Sequence, residues 1–588
     1  MSQHALLPKM PVPTLADTLK RFLTALKPLL TYSKFEETVR KTDSFAKEHG
    51  PYLQDKLVKL SEEVDNWAGY VSVHVRYLAN RSPLILTNGA GATFVPAIGS
   101  PEESILTLLS YYIAETCALN ENIRNHKLPQ QMFDNEPLCM AQYNNLFCSC
   151  RIPGIKIDTF KHSPHSKHIV VMYAGSMYKV PMYSGDKLIN LQEIHNLLSQ
   201  VLEQREEGKS VGLLTALDRD TWYTTRAHLK LSPINTASLE IMEGCIIVIS
   251  IDDFGMANLS HGDKLKYTIF CDFENNFPNF NRWYGTSLQT IISKDGYFCS
   301  TNEHSLFDGT IGSDRDQYDP VTLIEDSEIQ SNLKIELLQW EISPFIQSKI
   351  DESRLELSKI SEYYDTKTFN FPDYGRDFFS NHGLYYQGYM QLAFQLAYFK
   401  LYNRLCPSYQ PVSLRKYRGG RLEHPHVVSE ESKAFVEAMV NSQSSSKDKY
   451  KLMNLALNRH KELMADASQG QAYCKHLLGL KMLAEEENMN LEIFQDECFN
   501  VFTQHNLATS GMPIIVPILS NHPVHSGNGH FVVFKPENES LNYNVTTLVH
   551  SSEYTNSTEF GSAIAKSLIE IKRLVLAQAT DGILQSKL

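Results

Sequence analysis

The chain has 588 residues, of which 42% are hydrophobic, and a formal net charge of −12. That length and apolar content fit a globular protein of more than one domain, and the acidic balance argues against a nucleic-acid binder. Ten cysteines without a C-x-x-C pair indicate neither a zinc site nor a disulfide framework, so no metal is expected, and Cys148 and Cys150 read as reduced thiols in a strand. No apolar run approaches the roughly 20 residues that span a bilayer, and the Pro-rich N-terminus carries no signal-peptide core. The final Ser586, Lys587 and Leu588 read as a peroxisomal address, with an import receptor as partner and the cytosol as the alternative location.

Residues 14–80 read as helical, with Leu15, Leu19, Phe22, Leu23 and Leu26 at helical spacing and a break at Pro51. A strand-like exit follows at 83–86. A helix at 102–120 is opened by Ser100 and Pro101. From 140 to 250 helices and strands alternate. A hairpin is expected at 168–173 and 177–182, a helix at 191–206, a strand at 211–214, a helix at 238–244 and a buried strand at 245–251. A strand at 288–292 and a Lys294-Asp295-Gly296 turn lead into an apolar stretch at 297–300. An acidic loop at 313–328 and a helix at 347–361 follow. A compositional shift at 362–374 divides the chain into halves at 1–364 and 365–588. The second half is read as a helix at 385–402, a strand at 412–417, helices at 432–443, 451–463 and 471–487, strands at 513–519, 530–534 and 541–549, and a closing helix at 561–577. The interleaving predicts the α/β class.

The chemistry centres on Asn302-Glu303-His304-Ser305-Leu306-Phe307-Asp308-Gly309. His304 is expected at or just past the end of a strand, where an imidazole suits a general base near neutral pH. Asp308, four residues on, reaches the same side of a helical turn and could orient the ring. Taken alone, such a string more often describes a surface histidine in a polar loop.

This string resembles the histidine motif of the carnitine/choline acyltransferase family. The resemblance extends in collinear order through Glu136-Pro137-Leu138-Cys139-Met140-Ala141-Gln142-Tyr143, Cys150-Arg151-Ile152-Pro153-Gly154, Gly212-Leu213-Leu214-Thr215 with Arg219 and Trp222, and Asn281-Arg282-Trp283-Tyr284. It continues through Gln391-Leu392-Ala393-Phe394-Gln395, Gly420-Arg421 and His476-Leu477-Leu478-Gly479-Leu480. The resemblance implies two similar coenzyme A-dependent acyltransferase-type domains, each a mixed sheet flanked by helices, with an active-site tunnel between them. It implies acyl transfer from acyl-CoA to an alcohol, with His304 as general base and no acyl-enzyme. Coenzyme A is then a co-substrate rather than a tightly bound cofactor. In Ala508-Thr509-Ser510-Gly511, Ser510 holds the position of the family's oxyanion donor, although alone a Thr-Ser pair reads as a turn or cap.

Other positions depart from the family pattern. On the coenzyme A face, Arg376 preserves one cation and Ser380 loses a second. Tyr385-Tyr386-Gln387 replaces a Ser-Pro-Asp string, and Lys461 and Gly511 complete the set. Arg376 and Lys461 alone would pass as solvated charge. Around the acceptor, Tyr77 and Tyr409 are candidates, Pro411 and Leu422 replace hydroxyl residues, and Lys475 replaces an arginine that pairs with carnitine's carboxylate. Gly285 stands where relatives carry an aspartate. Three readings stay open: transfer of a short or medium acyl group to carnitine, acetyl transfer to choline, and an impaired relative acting as a binding protein.

Overall fold

The computed structural model describes residues 4–92, 105–270, 281–314, 332–499, 506–512, 520–521, 529–549 and 555–585. The Ser100-Pro101 helix opening, most of the acidic loop, the strand expected at 513–519, and Ser586, Lys587 and Leu588 lie outside them. The chain divides into two compact units. The first holds Arg76–Tyr364 with short pieces from elsewhere, and the second holds Leu7–Val75 with most of the chain from Asp365 on.

The first unit is built on an eight-stranded mixed sheet. His168–Tyr173 and Ser176–Pro181 form the expected hairpin. Ala174 and Gly175 both take positive φ, as a two-residue turn between right-twisted strands requires. Val248–Asp252 pairs in parallel with His168–Tyr173 on one side and Leu288–Ser293 on the other. Its run of β-branched residues suits a strand covered on both faces. Phe298–Asn302 returns antiparallel to Leu288–Ser293 and delivers the chain to His304. The helices Ile105–Arg124 and Leu191–Gln204 set Leu109, Ile113 and Leu198 against Ile169, Val171 and Val180 in one core.

The second unit carries a five-stranded mixed sheet in the order Tyr364–Phe371, Leu541–Leu548, His530–Pro536, Leu507–Gly511, Ser408–Tyr409. The helices Tyr386–Tyr402, Ser446–Ser468 and Ser557–Gln585 cover it. Both units thus have the α/β build expected from the sequence.

Three expectations are corrected. The segments at 83–86 and 211–214, read as strands, are the 3-10 turns Leu84–Leu86 and Val211–Ala216. In the second of these, a Cβ on Gly212 would overlap the Arg282 carbonyl oxygen, so the backbone packs too closely for a strand there. Thr215 closes the turn by donating to the Gly212 carbonyl at 2.7 Å. Leu7–Val75, placed with the first half by sequence order, packs with the second unit instead. Its helices Leu15–Leu26, Gly50–Glu63 and Trp67–Val71 bury Phe22, Leu53, Leu57 and Trp67 against Leu477 and Leu480 of the helix Cys474–Glu486. The break expected at Pro51 falls between the helices Tyr32–Lys47 and Gly50–Glu63, where Pro51 stands in the first turn of the latter.

The nine cysteines among the described residues are buried thiols outside any disulfide. Burial pushes the thiols of Cys148 and Cys150 up to about 12, so neither supplies a thiolate near neutral pH. Cys150 lies in the strand Ser149–Ile152 and Cys148 just before it, at positive φ. No helix among the described residues is long and apolar enough to cross a membrane. None of their His, Cys, Asp and Glu groups could hold a metal ion.

Candidate active site

His304 sits two residues past the end of Phe298–Asn302, in a turn, with its side chain 16% exposed. Its ring lies nearly parallel to that of Tyr77, with centroids 5.4 Å apart and planes 18° apart. The Tyr77 hydroxyl is 3.2 Å from Nδ1. Tyr77, expected as an acceptor contact, is therefore in direct contact with the imidazole. It lies on the π-helix Ser72–Leu78, a rare geometry that recurs at functional positions. Asp308 approaches the same nitrogen, but at 3.9 Å it is too far for a hydrogen bond. Its Oδ2 accepts from Gln142 at 3.2 Å, and its backbone N–H donates to the same side chain at 2.7 Å. Asp308 thus faces the ring as a nearby negative charge.

A buried charge network fixes this turn. Arg151 donates to Asp158 at 2.8 Å, to Glu303 at 3.0 Å and to the Tyr77 carbonyl at 2.6 Å. Glu303 is fully buried and also accepts from the Ser305 N–H at 3.1 Å and from the Ser305 hydroxyl. One guanidinium therefore ties the backbone of Tyr77 to the residue preceding His304. Arg219 and Arg81 bind Asp158 as well, at 2.6 and 2.8 Å. Burial acts to raise the Asp158 carboxyl, but Arg219 and Arg151 outweigh it and hold the group below its usual range. Arg151→Met is expected to leave Glu303 charged, buried and short of its cation. The expected loss of stability is about 3–5 kcal/mol, read as a lower urea midpoint.

The remaining candidates lie in the second unit. Ser510 is on the strand Leu507–Gly511, not in a turn or cap. Strand alternation turns Thr509 and Ser510 to opposite faces. Thr509 is fully buried, accepting from Gln391 at 2.8 Å and donating to the Tyr409 carbonyl at 2.8 Å, whereas Ser510 is half-buried. Gln391 also donates to Gln410 at 3.1 Å, which donates to Gln387 at 3.1 Å, and the Tyr385 hydroxyl donates to Gln387 at 3.0 Å. This chain of amides links Gln387 to the strand that carries Ser510. Gly511 ends that strand, exposed. Arg376 opens the short helix Arg376–Asn381 and bonds the Asn538 side chain, while Ser380 is exposed on the same helix. Lys461 is exposed and holds its ammonium 5.5 Å from the Tyr385 ring centre.

Of the expected acceptor residues, Leu422 lies on a small hairpin and Pro411 just before it. Val412–Ser413, just after the half-buried Pro411, pairs with Leu422–Glu423. Lys475 is 4% exposed, and its ammonium donates to the Leu422 carbonyl. Lys475 and Leu422 are thus brought together. Tyr409 is buried, with its ring edge toward His424 at 5.1 Å. Arg415, Arg421 and Glu423 on this hairpin segment are buried too.

Sequence reasoning missed Arg151, Glu303, Gln142, Gln391 and Gln410 as site-building groups. Arg151, Glu303, Gln142 and Gln391 lie inside the motif strings, yet only the fold reveals their partners.

The sequence matches the family profile described as Choline/Carnitine o-acyltransferase over residues 10–566. The chain belongs to this family. It is accordingly an acyltransferase. The choline O-acetyltransferase of Rattus norvegicus is 28% identical, over 97% of this chain and 92% of that protein. The carnitine O-acetyltransferase of Columba livia is likewise 28% identical, over 97% and 93%. The human carnitine O-acetyltransferase is 25% identical over the same shares. Within this family of O-acyltransferases, the chain is thus equally similar to members named for either acceptor.

Proposed function

We propose that the protein transfers a short or medium acyl group between acyl-CoA and the hydroxyl of carnitine. In this reading His304 takes the hydroxyl proton at Nε2 as the oxygen attacks the thioester carbonyl. The tetrahedral oxyanion forms, the carbon–sulfur bond breaks, and the leaving thiolate recovers the proton from His304. Ser510 is assigned as donor to the oxyanion, and Arg376, Ser380, Gln387, Lys461 and Gly511 as the coenzyme A face. Asp308 supports the imidazolium electrostatically, since a negative charge within about 4–6 Å favours the protonated ring.

The observation that favours carnitine over choline is the buried Lys475 ammonium at the Leu422 carbonyl. A buried cation beside the acceptor residues suits a carboxylate and disfavours a quaternary ammonium. Lys475→Met should raise the carnitine KM roughly 10–100-fold, the range for a hydrogen bond to a charged group, with a smaller change in kcat. An unchanged KM would remove Lys475 from the acceptor site.

Choline is the second reading. The rat choline enzyme matches as well as the pigeon carnitine enzyme, and Leu422 presents an apolar side chain. Thiol release from acetyl-CoA, followed with carnitine, with choline and with neither, separates the two. Release that needs carnitine supports the proposal. Release that needs choline replaces it, and none with either acceptor at several chain lengths points to a binding role.

A further inference from the structure

We propose that the coenzyme A face recognises the acyl donor by its neutral pantetheine arm, through the side-chain N–H of Gln387, and accepts thioesters lacking the nucleotide 3′-phosphate nearly as well as acyl-CoA. This rests on the assignment of that face to the donor. The polarity of the amide chain is set at one end. The Tyr409 carbonyl can only accept, so the Thr509 hydroxyl, 2.8 Å away, donates to it. The Thr509 oxygen then accepts from Gln391 at 2.8 Å, which fixes the facing atom of that amide as Nε2. The same nitrogen lies 3.1 Å from Gln410, whose facing atom must be Oε1. Gln410 therefore turns Nε2 to Gln387 at 3.1 Å, and Gln387 meets it with Oε1. The Tyr385 hydroxyl donates to that oxygen too, at 3.0 Å. The side-chain carbonyl of Gln387 is thus engaged inside the protein.

What Gln387 has left is its Nε2, a donor. Among the described residues that nitrogen meets the Tyr386 hydroxyl, at a long 3.4 Å, and Gln387 is half-buried. A neutral donor in this setting matches a carbonyl oxygen, and the pantetheine arm carries amide carbonyls. The cations of this face offer little to a phosphate. Arg376 donates to the Asn538 side chain, and its backbone N–H bonds the Glu537 carbonyl at 2.8 Å. The exposed Asp377 and Glu539 adjoin Arg376 and Asn538 in the chain. Lys572 and Lys535 pair with Asp373 and Glu537, at 2.8 and 2.9 Å. Among these groups carboxylates outnumber cations, a poor field for a phosphate dianion. Lys461 lies exposed over the Tyr385 ring, and a solvated cation adds little to holding an anion.

Calorimetric titration of the wild-type protein with coenzyme A and with dephospho-coenzyme A tests this without turnover. The two Kd values should agree within about fivefold. A phosphate held by charged hydrogen bonds contributes roughly 10–100-fold, so a larger preference for coenzyme A overturns the inference. Binding of neither removes the donor site, and with it the reading on which the inference rests. Phosphate-independent binding without turnover on any acceptor would refute acyl transfer and leave the donor recognition standing. Gln387→Glu keeps an oxygen facing Gln410 and Tyr385 and replaces the outward donor by an acceptor. With the acceptor that proves active, the donor KM should rise roughly 10–100-fold for acetyl-CoA and acetyl-dephospho-CoA alike, and the acceptor KM should stay within about twofold. An unchanged donor KM, or a rise confined to acetyl-CoA, overturns the role of Gln387. The wild-type titration decides the phosphate question whether or not this variant folds.

Discussion

His304→Ala should fold normally and release thiol from acetyl-CoA with kcat/KM lowered about 10²–10⁴-fold, the contribution of a well-placed general base. The expectation of normal folding has a structural basis. The imidazole is partly exposed, and the buried charges beside it, Arg151 and Glu303, pair with each other and not with the ring. Truncation therefore leaves Arg151 and Glu303 paired and Asp308 still hydrogen-bonded to Gln142, unlike loss of Arg151. The two variants should separate: His304→Ala loses rate at nearly constant stability, and Arg151→Met loses stability. Urea melts and initial rates measured on the same preparations check both.

The second large effect is acid lability of the second unit. His460, His476 and His530 are buried there, and burial lowers them to about 4, about 4 and about 3. His476 has Nδ1 2.6 Å from the Thr18 hydroxyl, and His530 has Nε2 2.9 Å from the Tyr402 hydroxyl. Neither ring nitrogen of His460 has a hydrogen-bond partner among the described residues. All three folded values lie below the ordinary histidine value of 6.5. The unfolded chain therefore binds more protons between that value and the folded ones. The stability these neutral rings contribute is complete above about pH 6.5 and is lost as pH falls toward 4. One pH unit below 6.5 each ring costs about 1.4 kcal/mol, so the three together cost about 4 kcal/mol near pH 5.5. Urea midpoints taken from pH 7.5 to 5 should fall accordingly. His460→Leu should remove about a third of the slope. A flat profile over this range would mean that these rings take up protons in the fold as readily as in the unfolded chain.

Local pattern made part of this molecule legible. The hairpin at 168–181, the parallel strand Val248–Asp252 and the placement of His304 just beyond a strand followed from alternation, β-branched runs and turn residues. The apolar runs at 84–86 and 211–214 did not, because a short apolar run has no period that distinguishes a strand from a buried turn. The Gly212 contact with the Arg282 carbonyl, which excludes an ordinary strand side chain, joins residues far apart in sequence. The same holds for the site. His304 and Asp308 are neighbours in sequence, and their spacing correctly put them near one another. The hydroxyl at Nδ1 comes from Tyr77, more than two hundred positions earlier. Arg151, which binds Asp158, Glu303 and the Tyr77 carbonyl together, leaves no spacing signature. Motif strings marked the residues, and only the fold supplied their partners.

The pH dependence of kcat/KM for the acceptor, measured on wild type and on the residual activity of His304→Ala, tests most directly whether this imidazole does the proton work. The wild-type rate should fall on the acid side with a slope of about one, as for protonation of a single base, and that limb should be absent from the variant. An acid limb retained unchanged in His304→Ala would place the base elsewhere.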